Sequence, residues 1–385
     1  MKQKFPIEQF KSLTTPFYYY DIDVLNHTLQ ALTKEADKYN YHIHYAIKAN
    51  ANPRILSLIC GYGLGADCVS GGEIQAALDA GFPADKIVFA GVGKADWEIN
   101  LGLDKAIFCY NVESIPELEV INELAKSKGK CVQVALRINP EVDARTHRHI
   151  TTGTKEDKFG INRDQLEKVL DKLNTLETIR LIGIHFHIGS QITDLKPFQK
   201  LCMRTVEIQE QLAKRGVKIE HINFGGGMGI DYENPDQNLI PDFKSYFELF
   251  HTYFPVEPYQ QIHFEPGRLI VGQCGSLISK VLYVKEGSFK KFIVLDAGFT
   301  ELIRPALYGA YHKVDNLSSK ATEEEIYDVV GPICESSDCF AKAIRLNKTE
   351  RGDLIALRSA GAYGEIMASQ YNCRKLPNVY FSDSL

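Results

Sequence analysis

The stretch HYAIKAN, His44–Asn50, closes a short apolar run with one lysine, Lys48, where a strand would give way to a loop. An amine at a strand's end, held beside apolar walls, can lose its proton and attack an aldehyde. In isolation such a lysine more often closes a surface strand in water. Its company along the chain decides otherwise. With Tyr41–Ala49 as the first strand, β-rich runs recur at Leu64–Ser70, Ile87–Gly91, Ala106–Asn111, Val132–Asn139, Leu181–Gly189, Ile219–Phe224 and Gln261–Glu265. Helical patterns lie between several of them. Ile74, Ala77 and Leu78 within Gly72–Ala80 fall at helical spacing, as do Leu166, Val169, Leu170 and Leu173. Eight strands alternating with helices predict an α/β unit over residues 26–270, a (β/α)8 barrel of TIM type. A doubly wound open sheet is the runner-up, because strand–helix alternation alone does not separate the two.

After Arg268 the texture changes. Leu277–Val284, Phe292–Leu295 and Leu354–Leu357 alternate with turns and show no long helical period. Residues 271–385 therefore read as an all-β unit, an antiparallel β-barrel-like domain. The strand-like opening Phe17–Asp21 assigns residues 1–25 to it as well.

At 385 residues the chain has length for such a pair of domains, and 44% hydrophobic with 24% charged residues gives ample core. A net charge of −5 and a pI near 6.1, without a basic stripe, argue against nucleic acid as a partner. Nine scattered cysteines with no C-x-x-C pair suggest neither a disulfide framework nor a metal site. No apolar run follows the N-terminus and none is long enough to span a bilayer, so a cytoplasmic enzyme without membrane contact is expected.

The polar residues on these strands test the barrel. Active sites of this architecture sit at the C-terminal strand ends, often with a phosphate site after strands 7 and 8. Lys48 ends the first strand, Asp67 the second, Arg137 the fifth and His187 the sixth. Gly225-Gly226-Gly227 follows the seventh, and Glu265 closes the eighth. Barrel layers should be apolar, so a ring of ionisable groups at one level implies a site. The glycine run lets backbone N–H groups approach a phosphate without interference from Cβ, and Ser190 can add a hydroxyl. A lone triple glycine is more often a flexible turn, but here it falls where the phosphate site belongs.

A lysine amine, a phosphate cradle and a buried carboxylate together suit pyridoxal 5'-phosphate. Glu265 facing the ring nitrogen would keep it protonated, making the ring a sink for the electrons left by losing CO2. A plainer role for Glu265 is an ion pair with Arg268 at the Glu265-Pro266-Gly267-Arg268 turn. His187 can stack on the ring, although a single histidine is usually a hydrogen-bonded core residue. His185, on the same side of its strand, receives no role. Three clusters stand out after the barrel: Arg304-Pro305-Ala306-Leu307-Tyr308, Gly331 to Asp338 with Cys334 and Glu335, and Gly361-Ala362-Tyr363-Gly364. Arginine suits a substrate carboxylate by bidentate pairing, and Glu335 suits a substrate ammonium.

These motifs together resemble the fold-type III pyridoxal-phosphate decarboxylases over nearly the whole chain. Cys334-Glu335-Ser336 selects the branch acting on meso-2,6-diaminopimelate, since ornithine-type relatives typically carry Asp after the cysteine. The resemblance implies decarboxylation to L-lysine and CO2, the last step of lysine biosynthesis, by a homodimer with active sites at its interface. Lys48, Gly226, Gly227 and Glu265 through Arg268 would hold the cofactor with Asp67, Arg137, His187, Ser190 and Tyr363. Arg268, Arg304, Tyr308, Glu335 and Tyr363 would bind substrate, and Cys334 from the second subunit would donate a proton. Decarboxylases of ornithine, arginine or carboxynorspermidine are the nearest rivals, followed by a non-catalytic cofactor-binding homologue. Two departures from the family pattern are the wording of Thr146–Ile150 and an end at Leu385 soon after Tyr371-Asn372-Cys373-Arg374.

Overall fold

The computed structural model describes residues 2–143 and 158–385, so the Thr146–Ile150 loop lies outside the described residues. It divides into two compact units. One holds the described residues of Leu29–Gly229 with Asp242–Gly267, the other those of Met1–Thr28, Ile230–Pro241 and Arg268–Leu385.

Strands are numbered along the chain, β1 being Phe17–Tyr20. The first unit is a closed barrel of eight parallel strands: β2 (His42–Ala46), β3 (Gly65–Cys68), β4 (Ile87–Phe89), β5 (Cys109–Val112), β6 (Val132–Arg137), β7 (Ile179–His185), β8 (His221–Asn223) and β9 (Gln261–Phe264). Closure comes from β9 pairing with β2, His263 opposite His42, which rules out the open sheet. Helices follow the strands where local chemistry starts them. The Asn52 side chain caps Pro53–Gly61 and the Ser70 side chain caps Gly71–Asp79, each accepting from a first-turn N–H. Helix Phe243–Tyr253 buries Phe243, Tyr246, Phe247 and Phe250 at helical spacing. Phe247 and Phe250 meet Phe264 of β9 edge-on at 5.1 and 4.8 Å between ring centroids. Each such buried ring contributes on the order of 1.5–3 kcal/mol, enough to clamp the last strand into the barrel.

The barrel's other mouth holds a second polar layer. His44 Nε2 lies 2.9 Å from His263 Nδ1, and His263 Nε2 lies 3.0 Å from His221 Nδ1. His44 Nδ1 is 3.1 Å from the Lys86 carbonyl. A carbonyl only accepts, so the hydrogens run in one direction along a chain of neutral imidazoles. Burial first, then neighbouring imidazoles, holds His263 well below the ordinary range. The expectation that ionisable groups inside the barrel mark a site therefore fails at this end: these rings satisfy one another and fill space.

The second unit is a mixed β-sheet structure. Its strands are β10 (Gly275–Glu286), β11 (Lys291–Leu295), β12 (Val314–Asn316), β13 (Glu324–Val330), β14 (Cys339–Asn347), β15 (Leu354–Leu357) and β16 (Asn378–Phe381), in the order β12-β15-β10-β11-β13-β14. β1 adds to β10 and β16. The expectation of an antiparallel domain needs correction. β1 with β16 and β11 with β13 are parallel, the second pair because residues 296–323 are long enough to return the chain to the same end. Phe10, Phe17, Tyr19, Ile278, Leu354 and Ala356 form a core cluster of this unit. No described helix is long and apolar enough to cross a membrane.

Candidate active site

At the C-terminal mouth of the barrel, β2 ends at Ala46 and the chain turns through a short 3-10 helix, Ile47–Ala49. Ile47 and Ala49 are buried, which leaves the intervening Lys48 side chain to project. Its Nζ lies 3.6 Å from Asp67 Oδ2 on β3. The turn is pinned by the loop after β9: the Ala46 N–H donates to the Pro266 carbonyl at 3.2 Å. A Cβ on Gly267 would stand 3.0 Å from Ala49 Cβ, so glycine is what lets this loop close on the lysine turn.

Glu265 is held at both carboxylate oxygens. Its Oε1 accepts from Asn111 Nδ2 at 3.2 Å and Asn223 Nδ2 at 2.6 Å, and its Oε2 lies 2.8 Å from His185 Nε2. Burial would raise its pKa, but His185, then Lys48, outweigh burial and bring it down to about 2. Asp67 is equally buried, yet among the described residues neither carboxylate oxygen has a hydrogen-bond donor. Burial, reinforced by Glu265, pushes it up to about 6 despite Lys48. Burial first, then Lys48 and Arg137, drives His187 well below the ordinary imidazole range, so its ring is neutral.

The chain after β8 and the chain after β7 are laced together. The Ile192 N–H donates to the Gly227 carbonyl at 2.9 Å, and the Gly226 N–H reaches His187 Nδ1 at 3.5 Å. Gly225 and Gly227 have φ of +69° and +111°. A Cβ on Gly226 would collide with the Glu265 carbonyl, and one on Gly227 would stand 2.6 Å from the Gly189 carbonyl. Ser190 follows Gly189, whose carbonyl faces Gly227. Arg137 is committed to Glu113 at 2.8 Å, with its guanidinium over the Phe159 ring.

In the β unit, two guanidiniums converge on one phenol. Tyr232 Oη accepts from Arg268 Nη1 at 2.6 Å and from Arg304 Nη1 at 3.0 Å. Arg268 also lies over the Tyr363 ring, 4.8 Å from its centroid. Tyr308, one turn after Arg304, adds a phenol whose field bears on Arg268. Cys334 and Glu335 are exposed on a loop fixed by Asp338, whose carboxylate accepts from the N–H groups of Phe299 and Ile333 at 2.7 Å each. Glu335 Oε1 accepts from Tyr371 Oη at 3.0 Å.

The structure thus brings Lys48, Asp67, His187, Arg137, Ser190, the glycine run and Glu265 to one mouth. It groups Arg268, Arg304, Tyr308 and Tyr363 within the β unit and leaves Cys334 and Glu335 on that unit's surface. Sequence reasoning missed Asn111, Asn223, Tyr232 and His312, and it left His185 without a role. The two asparagines sit near the C-terminal ends of their strands, a signal applied only to charged residues.

Comparison with known proteins places this geometry. Residues 23–272 match the pyridoxal binding domain of the pyridoxal-dependent decarboxylases. A diaminopimelate decarboxylase of Bacteroides thetaiotaomicron is 63% identical, the match covering 100% of both chains. The crystal structure of diaminopimelate decarboxylase from Helicobacter pylori complexed with L-lysine superposes with a TM-score of 0.91 at 39% identity, over 97% of this chain and 93% of that one. The enzyme of M. jannaschii in complex with L-lysine gives 0.90 at 35%, over 98% and 90%. The chain belongs to the pyridoxal-dependent decarboxylases of fold type III. Within them it is a member of the diaminopimelate decarboxylase family, a carboxy-lyase with pyridoxal phosphate as cofactor.

The residues present fit that cofactor. Asp67 offers two buried oxygens without donors beside the Lys48 amine, and the glycine run forms a wall that no Cβ could share. When bound, pyridoxal phosphate supplies an aldehyde for amines and a protonated ring that accepts the electron pair released with CO2.

Proposed function

We propose that decarboxylation of meso-diaminopimelate to L-lysine runs at the C-terminal mouth of the barrel, with Lys48 as the amine that carries the cofactor. Glu265 holds a proton on the ring nitrogen; a carboxylate gripped by three donors cannot drift or readily protonate. His187, neutral, packs on the ring face, and the glycine run with Ser190 receives the phosphate. Arg304 reads the substrate's distal carboxylate, supported by Arg268, Tyr308 and Tyr363. Glu335 of the partner subunit takes the distal ammonium, and Cys334 of the partner subunit returns a proton to the carbon that lost CO2. In this division residues 26–270 hold the cofactor, while residues 1–25 and 271–385, together with Arg268, supply the dimer interface and substrate contacts in a cytoplasmic homodimer.

The observation that carries this reading is the Lys48 amine 3.6 Å from Asp67 in the mouth that Glu265 also occupies. A second supports the substrate end: among the described residues, no carboxylate lies in ion-pair range of Arg304, which is only 5% exposed. A buried guanidinium left so calls for an anion.

Borohydride reduction of the holoenzyme, followed by peptide mapping, tests the lysine. The cofactor should be fixed to Lys48, and Lys48→Ala should lose both the trapped adduct and nearly all turnover. Label on any other lysine would overturn the assignment.

A further inference from the structure

Arg304 is held by a phenol and an imidazole rather than by a carboxylate. Against the effect of burial, the two guanidiniums draw the Tyr232 phenol below its ordinary range, so the neutral member of the pair is His312. Arg304 Nη1 donates to His312 Nε2 at 2.8 Å as well as to Tyr232 Oη. The tautomer of His312 follows from its other nitrogen. Nδ1 lies 2.8 Å from the Arg358 carbonyl, which can only accept, so Nδ1 bears the hydrogen and Nε2 presents a lone pair to the guanidinium. Burial, then the charge of Arg304, holds His312 down to about 3, so this tautomer stays uncharged through the neutral range.

The frame is braced from behind. Arg358 bonds Asp315 and Asp236 at 2.7 Å each. Asp236 shares with Tyr232 the excursion Ile230–Pro241, and the Tyr232 ring meets the His312 ring edge-on at 5.2 Å. Carboxylates are therefore present nearby, but they are spent on Arg358. Arg304 meets a phenol and an imidazole instead.

A carboxylate in place of His312 would orient Arg304 equally well, but it would neutralise the charge. A neutral acceptor fixes the guanidinium and leaves the charge for a ligand. We propose that His312, with Tyr232, is a positioning residue for substrate recognition. It aims Arg304 at the distal carboxylate through a lone pair that does not compete for its charge. This rests on Arg304 as the reader of that carboxylate. It adds a role for His312 and Tyr232 that the binding residues alone do not contain.

The test compares three substitutions at His312 in the holoenzyme. His312→Phe removes the acceptor, His312→Gln keeps a neutral acceptor, and His312→Glu keeps an acceptor with a competing charge. KM for diaminopimelate and the Kd of the product L-lysine, which retains the distal carboxylate, are measured with the cofactor absorbance and Tm. His312→Phe and His312→Glu should each raise KM and Kd roughly tenfold or more, with kcat and cofactor absorbance moved far less. His312→Gln should restore most of the affinity. If His312→Glu binds L-lysine as tightly as His312→Gln, the neutrality argument is wrong. If His312→Phe leaves both constants unchanged while Arg304→Ala raises them, His312 has no positioning role. Arg304→Ala itself leaving both unchanged would instead overturn the reading of Arg304 on which this stands.

Discussion

Two buried carboxylates at the barrel mouth are pushed in opposite directions. Glu265, with two amide donors and His185, is held down to about 2, while Asp67, with none, is raised to about 6. Pairs of acids separated in this way by their surroundings divide the labour of a site. The sign for Glu265 follows from its depressed value. Its ionised form stabilises the fold above the ordinary pKa of 4.5, and that contribution fades only as pH falls from there toward about 2. It thus stays a carboxylate through the neutral range and can keep a ring nitrogen protonated. Glu265→Gln should slow CO2 release from diaminopimelate on the order of 100-fold or more, with the cofactor still bound by absorbance. Unchanged turnover in a protein that retains cofactor would remove the electron-sink role. The charged members of this mouth were legible because Lys48, Asp67 and Glu265 interrupt apolar runs at one level. Asn111 and Asn223 were not, because an asparagine near a strand end also suits a turn or a helix cap. Tyr232 and His312 gave no signal at all, since their meeting depends on how the excursion Ile230–Pro241 packs within the β unit.

Among the elements, the eight barrel strands were legible because parallel buried strands read as short apolar runs. Seven of them end earlier than those runs, and β5 ends one residue later. β2 stops at Ala46, where the backbone turns into the 3-10 helix that carries Lys48. The polar-ring rule that points to the C-terminal mouth also fits His44, His221 and His263 at the other one. There the imidazoles bond to one another, something that composition cannot reveal. In the β unit, parallel pairing of β11 with β13 was hidden because it depends on a return path far longer than a hairpin. The glycine run is the element whose function is most directly testable. At Gly227, with φ +111°, alanine adds strain and meets the Gly189 carbonyl. A cost of about 1–3 kcal/mol is expected there. Gly227→Ala should therefore weaken pyridoxal phosphate binding by roughly 10- to 100-fold in equilibrium titration. Unaltered cofactor affinity with only a lowered Tm would make the glycine a packing requirement and not part of the phosphate cradle.

For the whole molecule, the exposure of Cys334 and Glu335 is the telling feature. An acid and a thiol on a loop fixed by Asp338 are presented outward, while Lys48 belongs to the barrel. Two copies related by a two-fold axis would let each supply what the other's barrel lacks. Composition could show that the chain has core enough for two units, but a surface that matches its own copy leaves no periodic trace in one sequence. Lys48→Ala and Cys334→Ala proteins should each be nearly inactive alone. The decisive measurement is CO2 release from meso-diaminopimelate after equal amounts of the two have exchanged subunits. Random pairing makes about half of the dimers mixed, each with one intact and one doubly damaged site, so activity should return to about a quarter of wild type. If no activity returns although a tag pull-down shows that the subunits have exchanged, Lys48 and Cys334 do not meet across a dimer.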